Sequence, residues 1–217
     1  FVDHIDRKKV LGVYSINDAM LNEYEEDKFI ESFDKLSKEH DVIIISDYGH
    51  GVITPKIATH ISNSEKFVSL NAQVNAANIG THNIRKYHDV NCLIINETEL
   101  RHEMRQRDGD AEKMAIILKD IVKAKYITVT QGKNGAFLIN GDITPERCVG
   151  FASQVVDKVG SGDALLALLS ICLFSKFDEK LSLFIGSLAA AQSVETLGNS
   201  ASVNKIKLLK TISHLLK

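Results

Sequence analysis

Residues 155–174 read VVDKVGSGDALLALLSICLF. An apolar pair leads into Asp157; Gly160, Ser161, Gly162 and Asp163 follow, and an apolar run closes the stretch. Two glycines bracket a small hydroxyl residue at the point where that run predicts the start of a helix. Glycine lets the chain turn tightly and lets a ligand approach the backbone closely. A helix N-terminus presents N–H groups without intrahelical partners and a partial positive charge, which suits a phosphate. Asp163 stands at the mouth of this helix. A fixed anion there repels a phosphate unless it accepts a proton or works with a metal. The combination therefore points to phosphoryl transfer, with Asp163 as the base for an attacking hydroxyl. A β-branched side chain at Gly162 is expected to obstruct the backbone approach and to disfavour a positive φ there. On its own, G-x-G-D also fits a tight turn followed by an ordinary acidic residue in a helix's first turn. It is neither a Walker A loop, since no Gly-Lys-Ser/Thr follows, nor a dinucleotide fingerprint.

Composition sets the frame. The 217 residues suffice for one sizeable core and a small appendage. Hydrophobic residues make up 44% and charged residues 25%, as in ordinary soluble domains. A net charge of −2 gives no electrostatic case for nucleic acid or an anionic membrane. Cys92, Cys148 and Cys172 are odd in number, widely spaced and set among apolar residues, and they read as reduced core thiols of a cytoplasmic protein. The run 164–174 is too short to span a bilayer, and no signal peptide is visible. The chain opens at Phe1 inside what reads as a strand, so it is expected to be part of a longer protein.

Strand and helix alternate along the chain. Residues 1–3 and 9–16 read as short strands and 25–40 as an amphipathic helix carrying Phe29, Ile30, Phe33 and Leu36. Strands follow at 42–45, 66–70, 92–95, 126–130 and 136–139, with an edge strand at 148–152. Thr54-Pro55 caps a helix, and further helices are predicted at 110–123, 163–176, 179–197 and 204–216. Bare apolar strands between helices predict an α/β fold with a mainly parallel sheet and helices on both faces. In such sheets ligands bind beyond the carboxyl ends of the strands. Four polar stretches fall there: 47–51, 71–78, 96–99 and 130–135. The 163–176 helix, apolar all round, is expected to be buried against the sheet.

Asn96 and Glu99 lie one helical turn apart after a buried strand. Such a pair can hold a hydrated Mg²⁺ beside phosphates, and it is equally a helix cap with an acidic first turn. Thr130, Gly132 and Gly135 form a glycine turn between two strands, which also suits a plain hairpin. Asp47, Asn71, Gln73 and Asn75 are expected to point into one pocket across from the GSGD turn. Phe29, Phe33, Phe174 and Phe184 read as core. His4, His40, His60, His88, His102 and His214 read as surface or capping residues without metal spacing, and 205–210 as the solvated face of a terminal helix.

The run Asp157-x-x-Gly160-Ser161-Gly162-Asp163 resembles the D-T-x-G-A-G-D signature of the ribokinase-like (pfkB) carbohydrate kinases, with Lys158 and Ser161 as departures. Asn96-x-x-Glu99 resembles that family's N-x-x-E motif and Thr130-x-Gly132-x-x-Gly135 its T-x-G-x-x-G loop. Ser46-Asp47-Tyr48-Gly49-His50-Gly51 resembles the S-D-Y-G-K-G loop of its heptose-phosphate kinases, with His50 in place of Lys. The resemblance covers nearly the whole chain, but the chain corresponds to about the last two thirds of such a kinase. It is closest to the subgroup in which a nucleotidyltransferase domain accompanies a kinase-like domain. The resemblance implies a three-layer α/β/α core at 18–217 that lacks its first part, and a partial lid at 1–17 that pairs with a second copy. It implies ATP and Mg²⁺, with a monovalent cation in addition. It places Asp163 with Gly160, Ser161 and Gly162 at the transferred phosphate, and Thr130, Gly132, Gly135, Asp157 and Asn199 on the nucleotide. Asn96 and Glu99 fall to the metal, and Asp47, His50, Asn71, Gln73 and Asn75 to the sugar or sugar phosphate. Residues 189–191 with Gly198 and Asn199 could line an adenine pocket; close packing of two helices explains the small residues as well. The amides in Leu70-Asn71-Ala72-Gln73-Val74-Asn75 stand where heptose-phosphate kinases carry D-P-K. They suit hydroxyls better than phosphate, so the substrate does not carry over.

Two readings remain open at this point. One is an ATP-dependent carbohydrate kinase. The other is a non-catalytic, kinase-like module that binds a ligand or dimerises and so regulates an attached nucleotidyltransferase.

Overall fold

The structure, a computed structural model, describes residues 1–5, 10–13, 15–74, 78–80, 82–141, 144–197 and 200–216. The chain runs α1 (Glu23–Ser37), β1 (Val42–Asp47), α2 (Pro55–Ser62), β2 (Phe67–Ala72), β3 (Cys92–Asn96), α3 (Glu97–Met104), α4 (Ala111–Ile121), β4 (Tyr126–Thr130), β5 (Ala136–Asn140), β6 (Glu146–Cys148), α5 (Ser161–Phe174), α6 (Glu179–Ser193) and α7 (Lys205–Leu215). The six strands form one sheet in the order β1-β2-β3-β4-β5-β6. The first four are parallel, and β5 and β6 turn back antiparallel.

Side chains alternate across a strand, and each face of this sheet has its own core. Val68, Leu70, Leu93, Ile95, Ile127, Val129 and Phe137 face Ile57 and Ile61 of α2, Leu100 of α3, and Met114 and Leu118 of α4. Cys92, Ile94, Tyr126 and Leu138 face Leu165, Leu166, Leu169 and Leu173 of α5 and Leu183 of α6. The result is the expected three-layer α/β/α arrangement. Each fully buried leucine contributes about 1.5–3 kcal/mol. Helices α5 and α6 approach closely at Gly186, where a Cβ would stand 3.2 Å from the Leu169 Cβ. Ala189 is fully buried nearby, so at that position the small residues serve helix packing. The buried Cys92 thiol is pushed up to about 12 by loss of solvation, which leaves it a neutral core group.

The structure differs from the sequence reading in several places. Residues 10–13, 15 and 16 do not form a strand; Phe1 instead exchanges main-chain hydrogen bonds with Val10 and Leu11. Lys9 and Tyr14 of that expected strand lie outside the described residues. A lone ribbon is barely stable in water, and Phe1, Val2, Val10, Leu11 and Val13 are exposed. The edge strand is Glu146–Cys148 rather than 148–152. Phe29 and Phe33 pack on the core, but Phe174 is 40% exposed and meets Phe67 edge to face. Helix α5 is buried on the side facing the sheet and α6, while Ile171 and Phe174 face outward. No described helix is long and apolar enough to cross a membrane.

Candidate active site

Three strand ends and one helix start meet on the carboxyl rim of the sheet. Gly160 caps α5 with a left-handed backbone, φ +85, a conformation that costs other residues energy. Ser161, Gly162 and Asp163 form the first turn of the helix. The positive φ therefore belongs to Gly160, and Gly162 is helical. Gly162 is still open in front: a Cβ there would meet nothing within 4 Å. Of the first-turn N–H groups, that of Ser161 reaches Lys158 O at 3.4 Å, and those of Gly162 and Asp163 have no helical carbonyl one turn back. With open space before them, they fit a phosphate group of a nucleotide.

Asp163 is anchored from the opposite side of the rim. Ser46 Oγ donates to its Oδ1 at 2.9 Å and Gln73 Nε2 to the same oxygen at 3.2 Å. Tyr48 OH lies 3.4 Å from Oδ2. Ser46 is the penultimate residue of β1, Tyr48 follows that strand, and Gln73 follows β2. Residues 117, 115 and 90 positions away thus converge on one carboxylate.

The other expected substrate residues are placed differently. Asp47 neighbours Ser46 on β1 and so points to the opposite face. Its carboxylate is buried and accepts from Gly49 N at 2.9 Å and Tyr87 OH at 2.7 Å, with Lys86 Nζ 2.7 Å away. Burial alone raises this carboxyl, but Lys86, the Gly49 amide and Tyr87 together hold it below its ordinary value. Asp47 is therefore a structural anchor for the 47–51 loop and does not share a pocket with Asp163. Burial, then the nearby Asp47 charge, pushes the Tyr87 hydroxyl up. His82 Nε2 stands 4.0 Å from Asp47, and burial keeps its imidazole below the ordinary value. His50 turns away from the site and pairs with Asp18 at 2.6 Å. Asn71 is buried, donates to Ile94 O at 2.8 Å, and leaves its Oδ1 without a described partner. Asn75 lies outside the described residues.

Asn96 and Glu99 form a capping box on α3: Glu99 N donates to Asn96 Oδ1 at 2.8 Å, and Asn96 N to Glu99 Oε2 at 3.0 Å. The other Glu99 oxygen accepts from Val74 N at 3.2 Å. Glu99 is only 7% exposed, and burial raises its carboxyl against the pull of these N–H groups. Glu99 Oε1, Glu99 Oε2 and Asn96 Oδ1 thus each accept one backbone N–H. Among the described residues no group of three His, Cys, Asp or Glu side chains could hold a metal ion. The pair fixes the rim. Gln73 reaches Asp163 while its neighbour Val74 reaches Glu99, so one dipeptide ties Asp163 to the cap of α3.

Thr130 ends β4 in register with Asn96. Gly132 and Gly135 shape the turn into β5 with φ +58 and +89. Space in front of Gly132 is open, whereas a Cβ on Gly135 would stand 1.9 Å from Cys148 O. This turn is thus exposed at one glycine and packed at the other. No hydrogen bond joins it to Asp163 among the described residues. Asp157 accepts from Val159 N at 3.1 Å, and its own N–H bonds Val194 O at the end of α6. Asn199 and Gly198 lie outside the described residues. Sequence reasoning passed over Ser46, Tyr48, His82, Lys86 and Tyr87. Strand parity was the available signal for the first two: with Ile43 and Ile45 facing one core, Ser46 and Tyr48 must share the other side.

Residues 16–206 match the pfkB family carbohydrate kinases. The chain belongs to this family. Among its pfkB relatives is the bifunctional protein HldE of Campylobacter fetus, 29% identical over 197 residues, which cover 85% of this chain and 40% of the relative. The bifunctional protein HldE of Campylobacter curvus is 30% identical over 184 residues, covering 82% and 37%. The chain thus spans about two fifths of the length of these curated relatives. Among solved structures, phosphofructokinase-2 of Escherichia coli superposes with a TM-score of 0.74 at 16% identity, over 91% of this chain and 64% of that one. Ribokinase of Thermotoga maritima gives 0.66 at 19% identity, over 91% and 62%. At these identities the two structures speak for the fold.

Proposed function

We propose that the protein containing this chain transfers the γ-phosphoryl group of ATP to a hydroxyl of a sugar or sugar phosphate. The observation that carries this reading is the position of Asp163, between an open glycine N-terminus suited to phosphate and a rim of polar donors suited to a sugar. The α5 N–H groups hold the phosphate, and Asp163 accepts the proton as the hydroxyl oxygen attacks phosphorus. Mg²⁺ accompanies the nucleotide's phosphates as counter-charge, and a monovalent cation belongs to the same proposal. Asn96 and Glu99 act on that region through the rim they hold in place. Thr130, Gly132, Gly135, Asp157 and Asn199 form the nucleotide side, and Gln73, Asn71 and Asn75 the sugar side, while His50, paired with Asp18, takes no part in this arrangement.

In this reading residues 18–217 are a kinase core and 1–17 a lid. The exposed Phe1, Val2, Val10 and Leu11 make it the surface for a second copy, and charged substitution of Val10 and Leu11 is expected to shift sedimentation toward monomer. The three free cysteines, two of them buried, support a cytoplasmic protein. His50 pairing with Asp18 favours the second reading, a ligand-binding module that regulates an attached nucleotidyltransferase.

The test is ATP turnover by the full-length protein over a panel of hexoses, heptoses and their phosphates. Wild type is expected to phosphorylate at least one, and Asp163→Asn to lose ~10²–10⁴-fold in rate while still binding ATP. ATP binding without turnover of any sugar would support the regulatory module instead.

A further inference from the structure

The three donors on Asp163 are distributed unequally. Ser46 Oγ and Gln73 Nε2 both address Oδ1, at 2.9 and 3.2 Å. Among the described residues Oδ2 has only the Tyr48 hydroxyl, at 3.4 Å. A carboxylate oxygen that accepts two hydrogen bonds has its negative charge stabilised and is the poorer proton acceptor. The same two bonds fix the plane of the carboxylate, because they arrive from the ends of two adjacent strands. Ser46 and Asn71 are paired in register between β1 and β2, and Gln73 comes two residues later. A rigid sheet edge thus sets the orientation of the base, as preorganised catalysis requires. The Tyr48 contact is near the limit of a hydrogen bond, and Tyr48 is 43% exposed. It sits on the accessible side of the carboxylate, where another hydroxyl can take its place.

We propose that Ser46 and Gln73 are positioning residues that lock Asp163 through Oδ1, that Oδ2 is the proton-accepting oxygen, and that the Tyr48 hydroxyl marks where the acceptor hydroxyl of the sugar binds. This rests on the kinase reading above. In the step, the sugar O–H bond breaks and its proton passes to Oδ2. The sugar oxygen forms a bond to the γ-phosphorus of the nucleoside triphosphate, and the bond from that phosphorus to the bridging oxygen breaks. The nucleoside diphosphate leaves with those electrons, and the proton later passes from Oδ2 to solvent.

The experiment uses the full-length protein and the best substrate from the sugar panel. Ser46→Ala, Ser46→Thr, Gln73→Met and Tyr48→Phe are each made in wild type and in Asp163→Asn, with kcat, KM and thermal midpoint measured for all. Ser46→Ala is expected to lower kcat ~10-fold, the worth of about one positioning hydrogen bond, with KM for ATP within about twofold. Ser46→Thr, which keeps the hydroxyl in a strand that favours β-branching, restores most of kcat. In Asp163→Asn neither Ser46→Ala nor Gln73→Met lowers kcat further, because residues that act as a unit are not additive. Tyr48→Phe raises KM for the sugar more than it lowers kcat. If Ser46→Ala costs the same factor in both backgrounds, or Ser46→Thr does not restore activity, the positioning role is wrong while the kinase reading stands. If wild type phosphorylates no sugar, the kinase reading fails and the positioning role falls with it.

Discussion

Lys86 and Asp47 form a buried ion pair on the side of the sheet away from Asp163: Nζ lies 2.7 Å from Oδ2, and the two side chains are 15% and 4% exposed. Removing one member of such a pair strands the other in a poorly solvated site. Lys86→Met should therefore destabilise the protein by about 3–5 kcal/mol in urea unfolding. Lys28→Met, which removes an exposed pair with Glu31, should leave the midpoint nearly unchanged. Equal shifts in the two variants would show that the Asp47 carboxylate does not depend on Lys86.

Stability should also fall with acid in two stages. The Asp47 carboxyl lies below its ordinary value of 3.8, and the His82 imidazole below 6.5. For both groups the folded state binds protons less readily than the unfolded chain. The stability they supply is complete above those ordinary values and is lost as pH falls. Asp47, Lys86 and Glu103 are the charges that act on His82. Thermal midpoints of wild type should decline from pH 7 to pH 5, and those of His82→Gln should decline less. Parallel curves would place His82 outside this balance.

The two glycines at the start of α5 should respond with opposite signs. Gly160→Ala forces a side chain into a left-handed backbone and should cost about 1–2 kcal/mol. Gly162→Ala is helical and uncrowded, and should stabilise by about 0.5–1 kcal/mol. Its methyl group nonetheless occupies the space before the N–H groups, so ATP affinity by calorimetry should drop. Undiminished ATP affinity in Gly162→Ala would put the phosphate elsewhere.

In the β4–β5 turn, Gly135→Ala drives a Cβ into the Cys148 carbonyl and should cost about 3 kcal/mol or more, since both strain and overpacking apply. Gly132→Ala meets nothing within 4 Å, and only its positive φ opposes it, at about 1–2 kcal/mol. Comparable losses in urea unfolding would mean that β6 does not pack on Gly135 as described.

The parallel strands were legible because they are bare apolar runs between helices, and Thr54-Pro55 announced α2 through cap chemistry alone. Asn96 and Glu99 were legible as a pair, and they form the helix cap that their spacing allows. What escaped the sequence has physical reasons. Glu146 and Arg147 are polar, so the edge strand that holds them lacks the apolar signature of a buried one. Asp47 and Ser46 are one residue apart, and only the parity of β1 decides which of them meets Asp163. His82, Lys86 and Tyr87 lie around a short 3₁₀ turn (Ile84–Lys86) with no periodicity; tertiary packing alone brings them to Asp47.

The unbroken strand order carries a consequence for how the molecule is made. Every strand lies beside its predecessor in the chain, so the sheet can grow strand by strand as synthesis proceeds, with one crossover to close at each parallel step. The second face cannot be covered until α5 emerges, and the contact of Ser46 with Asp163 spans 117 residues. The cluster around Asp163 is thus among the last parts to assemble, and intermediates before it expose the β3 and β4 side chains that α5 buries. Pulse-labelled hydrogen exchange during refolding should protect the amides of β2, β3 and β4 before those of α5; protection of α5 first would reverse that order.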